Sequence, residues 1–215
     1  MPKEPQWELD QKIIPNIFFD KNIVSIKNIR NFRYRAEFDY DVDYYDEVFD
    51  SDQIQQALIG FVHFSKNPFI AHALIKFEFK NNTHIVFSVE IRRKVNQKFS
   101  SWKTILPFYK IMYVLADQQD VITLRNNYRQ NELVNQYKLD LNLNQLKALF
   151  LEMCKQAEEV NNNSKSFHLF FNSCASNLVQ HLNNTSDFKI PWFYKYFAPG
   201  LLPQYLLKRK LIVAT

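Results

Sequence analysis

Apolar residues alternate along residues 71–79, at Ala71, Ala73, Ile75, Phe77 and Phe79. They alternate again along 84–92, at Ile85, Phe87, Val89 and Ile91. A period of two predicts half-buried strands, and Asn81 with Asn82 between them predicts a hairpin turn. The opposite faces carry His72, Leu74, Lys76 and Glu78 on the first strand, and His84, Ser88, Glu90 and Arg92 on the second. A hairpin loop of odd length sets Ala73 across from Val89, Ile75 from Phe87, Phe77 from Ile85 and His72 from Glu90, with Cβ atoms about 5 Å apart. A two-residue loop puts His72 out of step with Glu90. Agreement of both core faces favours the odd loop.

The rest of the chain alternates between strand and helix signals. Residues 23–35 alternate in part, at Val24, Ile26, Ile29, Phe32 and Tyr34, and predict strand. Asp50, Ser51 and Asp52 offer an N-cap for a helix running to Phe64, with Ile54, Ala57, Leu58, Phe61 and Val62 at helical spacing. Residues 109–115 and 121–124 read as two further strands, 143–160 as a helix and 161–166 as a polar loop. Phe170 and Phe171 close an apolar run, and Asn172 or Ser173 caps a helix that starts at Cys174. Residues 1–22, with Pro2, Pro5 and Pro15, form an N-terminal arm or short helix. Residues 23–215 then make a single α+β domain, an antiparallel sheet with helices packed on it.

The 215 residues are 47% hydrophobic, enough for one well-filled core. Twenty Phe and only two Gly leave no room for a glycine-rich phosphate loop, and neither GxGxxG nor GxxxxGK[ST] occurs. The net charge of +5 is spread along the chain, with clusters at 92–94 and 208–210. Neither an RNA-binding aromatic signature nor a zinc-ligand spacing accompanies it, so no nucleic acid, metal or cofactor is expected. No run of about 18 apolar residues spans a bilayer, and the polar N-terminus carries no secretory signal.

Cys154 falls on the apolar stripe of the 143–160 helix and reads as a small buried side chain. Cys174 differs. A thiol in the first turn of a helix meets unpaired backbone N–H groups and the positive end of the helix dipole, both of which favour thiolate. It needs a base and a partner to orient that base. Among His63, His72, His84, His168 and His181, the best placed is His72, flanked by the small Ala71 and Ala73. His181 lies two helical turns beyond Cys174 and cannot reach it within one helix. Glu90 across from His72 would fix the imidazole tautomer and stabilise an imidazolium. The Cys174 N–H would donate to an oxyanion. This is the logic of a papain-like thiol enzyme. The plainer readings are a structural Cys and His, and a Glu90 paired with Arg92 or Lys76 on a solvated strand face.

Several segments together resemble the periplasmic domain of the Lnb-type lipoprotein N-acyltransferase family. They are Asn28 to Tyr34 (NIRNFRY), Ala71-His72-Ala73, Ser88 to Arg93 (SVEIRR), Asp120 to Arg125 (DVITLR), Asn172-Ser173-Cys174 and Pro199-Gly200-Leu201-Leu202 with Tyr205-Leu206. The resemblance implies a circularly permuted relative of papain-like and NlpC-type enzymes, with Cys174 as nucleophile, His72 as base and Glu90 orienting it. It implies acyl transfer from a phospholipid through a Cys174 thioester to the α-amine of a lipoprotein's diacylglyceryl-cysteine, in the periplasm at the inner membrane. Ser88, Arg92 and Arg93 are then the expected substrate contacts, the arginines through a phosphate headgroup; the alternative for them is a strand-face ion pair. The family usually has Asn-Cys-Thr-Thr at the nucleophile, where this chain has Ser173, Cys174, Ala175 and Ser176. An aromatic–Asn pair usually stands upstream, where this chain has Phe167 and His168. The aromatic stretch 191–207, from Trp192 to Leu206, followed by the 208–210 cluster, fits either a membrane-surface patch or core packing. Two other activities stay open: a cysteine hydrolase acting on a peptide, amide or lipid ester, and a binding module in which Cys174 is inert.

Overall fold

The computed structural model describes residues 6–63, 67–97, 100, 108–163, 165–168 and 172–215. Its strands are β1 (Asn16–Asp20), β2 (Ile23–Arg30), β3 (Arg33–Ala36), β4 (Asp39–Asp41), β5 (Tyr44–Asp50), β6 (Ile54–Val62), β7 (His72–Phe79), β8 (His84–Arg92), β9 (Lys110–Ala116), β10 (Val134–Leu139) and β11 (Ile212–Ala214). The helices are a π-helix (Gln119–Tyr128), α1 (Leu143–Asn163), α2 (Cys174–Thr185), α3 (Trp192–Tyr196) and α4 (Leu202–Lys208). Among the described residues one nine-stranded sheet runs β1-β2-β9-β8-β7-β6-β10-β11, with β5 also paired to β2. Its ladders are antiparallel except β2 with β9. The fold is α+β. Residues 6–22 supply a single 3-10 turn and β1, which pairs with β2; residues 1–5 lie outside the described residues.

Each face of the sheet has its own cover. On one face Phe77, Phe87, Ile75, Ile85 and Val89 pack under α1 and α2. Phe150 of α1 is the hub: its ring lies 6.1, 5.3, 5.4 and 6.1 Å from those of Phe49, Phe77, Phe79 and Phe87. Truncating it to Ala would cost about 4 kcal/mol by lost burial and the cavity left behind. On the other face Leu74, Val86, Met112 and Val114 pack with Val121 and Ile122 of the π-helix.

The hairpin takes the odd register. Phe79 N donates to Thr83 O at 3.0 Å around Lys80, Asn81 and Asn82, and Asn82 adopts a left-handed φ of 64°. Ile75 faces Phe87 and Phe77 faces Ile85, and the ladder ends at Leu74 with Ser88. Four other expectations are corrected. Residues 54–62 are strand β6, not a helix. Lying between β7 and β10, β6 is buried from Ala57 to Val62, and a central strand covered on both faces loses the alternation that marks an exposed one. Asp50 does cap, accepting from Asp52 N, but only the single turn Ser51–Gln53; Phe64 lies outside the described residues. Residues 121–124 belong to the π-helix rather than a strand, with Arg129 N reaching Leu124 O at 3.0 Å. The strand expected over 23–35 is interrupted at Asn31 and Phe32. The polar loop expected from residue 161 begins later: Asn161 is still helical and buried, its Oδ1 accepting from Tyr113 N at 3.2 Å.

Candidate active site

His72 opens β7, and β8 brings Ser88 and Glu90 beside it. His72 Nε2 lies 2.8 Å from Ser88 Oγ, and Ser88 donates to Glu90 Oε1 at 2.6 Å. An ionised carboxylate only accepts, so the Ser88 proton belongs to Glu90 and the Ser88 oxygen receives Nε2–H. That fixes the tautomer, leaving a lone pair on Nδ1. The direct His72–Glu90 approach is 3.5 Å, so the carboxylate acts on the ring chiefly through the hydroxyl. Behind it, Arg125 Nη2 donates to the same Glu90 Oε1 at 2.9 Å, while Arg125 Nη1 donates to Val121 O at 2.9 Å. Burial alone would raise the Glu90 carboxyl. His72, Arg125, the Ser88 hydrogen bond and Arg129 outweigh it and hold the group ionised, well below the usual carboxylate range.

Cys174 is the first residue of α2. Ser173, not Asn172, is the N-cap: its Oγ accepts from Ser176 N at 3.3 Å, and Ser173 N donates to Ser176 Oγ at 2.7 Å, a reciprocal capping box. Phe170 and Phe171, upstream, lie outside the described residues. Burial raises the Cys174 thiol to about 11, against the backbone amides of Ala73 and Ala175, which pull it down. Burial likewise pushes His72 down to about 4, helped by Arg125 and Arg129 and opposed by Glu90. The resting pair at neutral pH is therefore thiol and neutral imidazole. The thiolate expected from the helix start does not form at rest, because desolvation outweighs one turn of dipole. Among the described residues no hydrogen bond joins the Cys174 sulfur to a His72 nitrogen. The sulfur instead lies by the amide of Ala73, the residue next to His72.

The three residues expected to contact substrate have partners within the chain. Ser88 has no exposed surface and turns its hydroxyl to His72 and Glu90. Arg92 donates to Gln11 O and Lys12 O, both at 3.0 Å, and its guanidinium stacks 4.2 Å from the centre of the Trp7 ring. Arg93 joins the same segment, its N–H donating to Gln11 Oε1 at 2.5 Å and its carbonyl accepting from Glu8 N at 3.1 Å. Arg125 was not anticipated as part of the site. It follows a short apolar run, and nothing in the local pattern marks it as the cation behind Glu90. The remaining histidines have separate partners: His63 with Gly200 O at 3.1 Å, His84 with Asp117 Oδ2 at 3.1 Å and His181 with Glu152. The backbone N–H of His168 donates to Asn172 O at 3.2 Å.

The aromatic stretch is partly buried and partly exposed. Leu202 and Leu206 are fully buried, whereas Trp192, Phe193 and Phe197 are 65, 44 and 55% exposed. Phe69 and Ile70, leading into His72, are also exposed. Gly200 N donates to Phe69 O at 2.9 Å, and a Cβ at Gly200 would meet Pro68 O at 2.1 Å, so no side chain fits there. Both cysteines are free. Among the described residues no cluster of His, Cys, Asp and Glu could hold a metal ion, and no helix is long and apolar enough to cross a membrane.

Neither a curated protein nor a solved structure matches the chain. A family model does, the Lnb N-terminal periplasmic domain, over residues 40–200. That span holds His72, Ser88, Glu90, Arg125 and Cys174, and the chain belongs to this family of periplasmic domains.

Proposed function

We propose that this domain is a thiol acyltransferase that moves a fatty acyl chain from a phospholipid to the α-amine of a lipoprotein's diacylglyceryl-cysteine, with Cys174 as nucleophile. The observation that supports it most is the chain of contacts His72–Ser88–Glu90–Arg125, with the amide of Ala73, next to His72, lying by the Cys174 sulfur. In the proposed reaction His72 Nδ1 takes the thiol proton as sulfur attacks the ester carbonyl. The C–S bond forms and the carbonyl pair moves onto oxygen, which the N–H groups at the start of α2 receive. Collapse breaks the ester C–O bond, and the lysophospholipid oxygen leaves with the proton from His72. The acceptor amine then attacks the thioester and gives a proton to His72. The amide forms as the C–S bond breaks, and the thiol is restored.

A neutral resting thiol suits this sequence of steps. The thiolate arises only when a substrate is present to be attacked, which limits loss of the nucleophile to oxidation. The chain order base, orienter, nucleophile is that of a permuted papain-like enzyme, and that ancestry is part of the proposal. Exposed Trp192, Phe193 and Phe197, with Phe69 and Ile70 just before His72 and the exposed cations at 208–210, fit a surface that rests on an anionic bilayer.

The test is N-acylation of a lipoprotein in cells expressing the protein, read by mass spectrometry of the lipoprotein N-terminus. Cys174→Ser and His72→Ala are expected to abolish the third acyl chain while the protein still accumulates folded. Acylation at the parent level in both variants would refute the proposal. Release of free fatty acid without amide formation would assign water as the acceptor and make the domain a hydrolase.

A further inference from the structure

A second polar chain, buried at His181 and Tyr113, reaches Asn172 and Ser173, the two residues before Cys174. Glu152 of α1 accepts from Asn184 at 2.8 Å and meets His181 Nδ1 at 2.5 Å. His181, 2% exposed, places Nε2 at 2.7 Å from the Tyr113 hydroxyl. Tyr113, on β9 across from Val89, is fully buried and donates to Asn177 Oδ1 at 3.3 Å. Asn177 then spends its amide on the two residues before the nucleophile, donating to Asn172 Oδ1 at 2.9 Å and to Ser173 O at 2.8 Å. Asn172 in turn donates to Ser166 O at 2.6 Å.

We infer that Tyr113 and Asn177, backed by His181 and Glu152, are positioning residues that fix the turn carrying Cys174. The inference rests on the reading of Cys174 as the nucleophile. Burying Tyr113 and His181 is unfavourable unless each polar atom finds a partner, and the links here converge on one short segment. Helix packing alone does not require them, since α1 and α2 already share an apolar seam through Leu149, Met153, Leu178 and Leu182. What the network adds is orientation. With the Ser173 carbonyl and the Asn172 side chain both held, the first turn of α2, whose Ala175 amide lies by the sulfur, is fixed in place. The nucleophile is gripped from β9 and α1, while its base is set separately from β8 and the π-helix.

The experiment compares Tyr113→Phe and Asn177→Asp with the parent protein. Tyr113→Phe keeps the ring and removes the hydroxyl; Asn177→Asp keeps the acceptor and removes the donors. Iodoacetamide alkylation of Cys174 is followed across pH by peptide mass spectrometry, and amide hydrogen exchange is followed at residues 174–177. The expected result is an alkylation midpoint about one pH unit higher, roughly a tenfold slower reaction at neutral pH, and faster exchange confined to the start of α2. A purely structural loss would lower the melting temperature without moving the midpoint. Alkylation and exchange within twofold of the parent in both variants would overturn the inference. Amide exchange does not depend on whether Cys174 ever carries an acyl group, so its outcome separates failure here from failure of the proposed reaction.

Discussion

Arg125 and Glu90 form a partly buried contact, Nη2 to Oε1 at 2.9 Å, on the same carboxylate oxygen that receives the Ser88 hydroxyl. The cation comes from the π-helix and the carboxylate from β8, so the helix that covers one face of the sheet also secures the group behind His72. Removing the cation leaves a half-buried carboxylate without its nearest charged partner. Arg125→Met is expected to cost about 3 kcal/mol, measured by urea denaturation. Adding Glu90→Gln to it should recover part of that loss. A strictly additive double variant would show that the two groups do not act as a pair.

Ser88 is the link through which Glu90 acts on the His72 ring. Ser88→Ala leaves the carboxylate 3.5 Å from Nε2 and releases the tautomer. The expected outcome is a fall in acyl transfer of roughly 10²-fold, with Cys174 still present and the fold intact by circular dichroism. An unchanged rate would mean that the ring is oriented by something other than this hydroxyl.

Stability should fall with acid in a specific window. The His72 pKa is depressed from 6.5 to about 4, so below pH 6.5 the unfolded chain binds a proton that the folded chain refuses. The stability contributed by the neutral ring is therefore complete above 6.5 and is lost as pH falls toward 4, with a slope approaching about 1.4 kcal/mol per pH unit. Glu90, also depressed, adds a loss of the same sign at lower pH. Denaturation at stepped pH should show this slope in the parent and a flatter one in His72→Gln. Equal slopes would contradict the assignment.

The hairpin register depends on Asn82, which holds a φ of 64° that β-branched residues disfavour. Asn82→Val should destabilise by about 1 kcal/mol and Asn82→Gly should be close to neutral, compared by denaturant midpoint. Equal midpoints for the two would mean that the turn has changed its conformation.

What the sequence made legible is what local pattern encodes. Alternation over 71–79 and 84–92 delivered the hairpin and its register, and through them the proximity of His72 and Glu90. The apolar run followed by a polar turn, with Asn172 or Ser173 as cap, delivered the start of α2 at Cys174. The pattern misled where tertiary burial overrode local period. In β6, cover on both faces erased the alternation, and the residue spacing happened to match a helix. The run 121–124, with β-branched Val121, Ile122 and Thr123, reads as strand but winds into a π-helix under the sheet. Arg125 ends the DVITLR segment that carries the resemblance, but its pairing with Glu90, 35 residues away, is made only by the fold and left no local signal. Cys174 shows the limit from the chemical side. The helix start was readable, but the degree of burial that keeps the thiol neutral was not.

The most direct measurement is intact-mass analysis of the protein incubated with phosphatidylethanolamine–phosphatidylglycerol vesicles in the absence of an acceptor amine. The account predicts a gain of one acyl chain, mapped to Cys174, discharged by neutral hydroxylamine and absent from Cys174→Ala. Transfer of the chain to a diacylglyceryl lipopeptide by Cys174→Ala at the parent rate, with no acyl group ever found on Cys174, would contradict it.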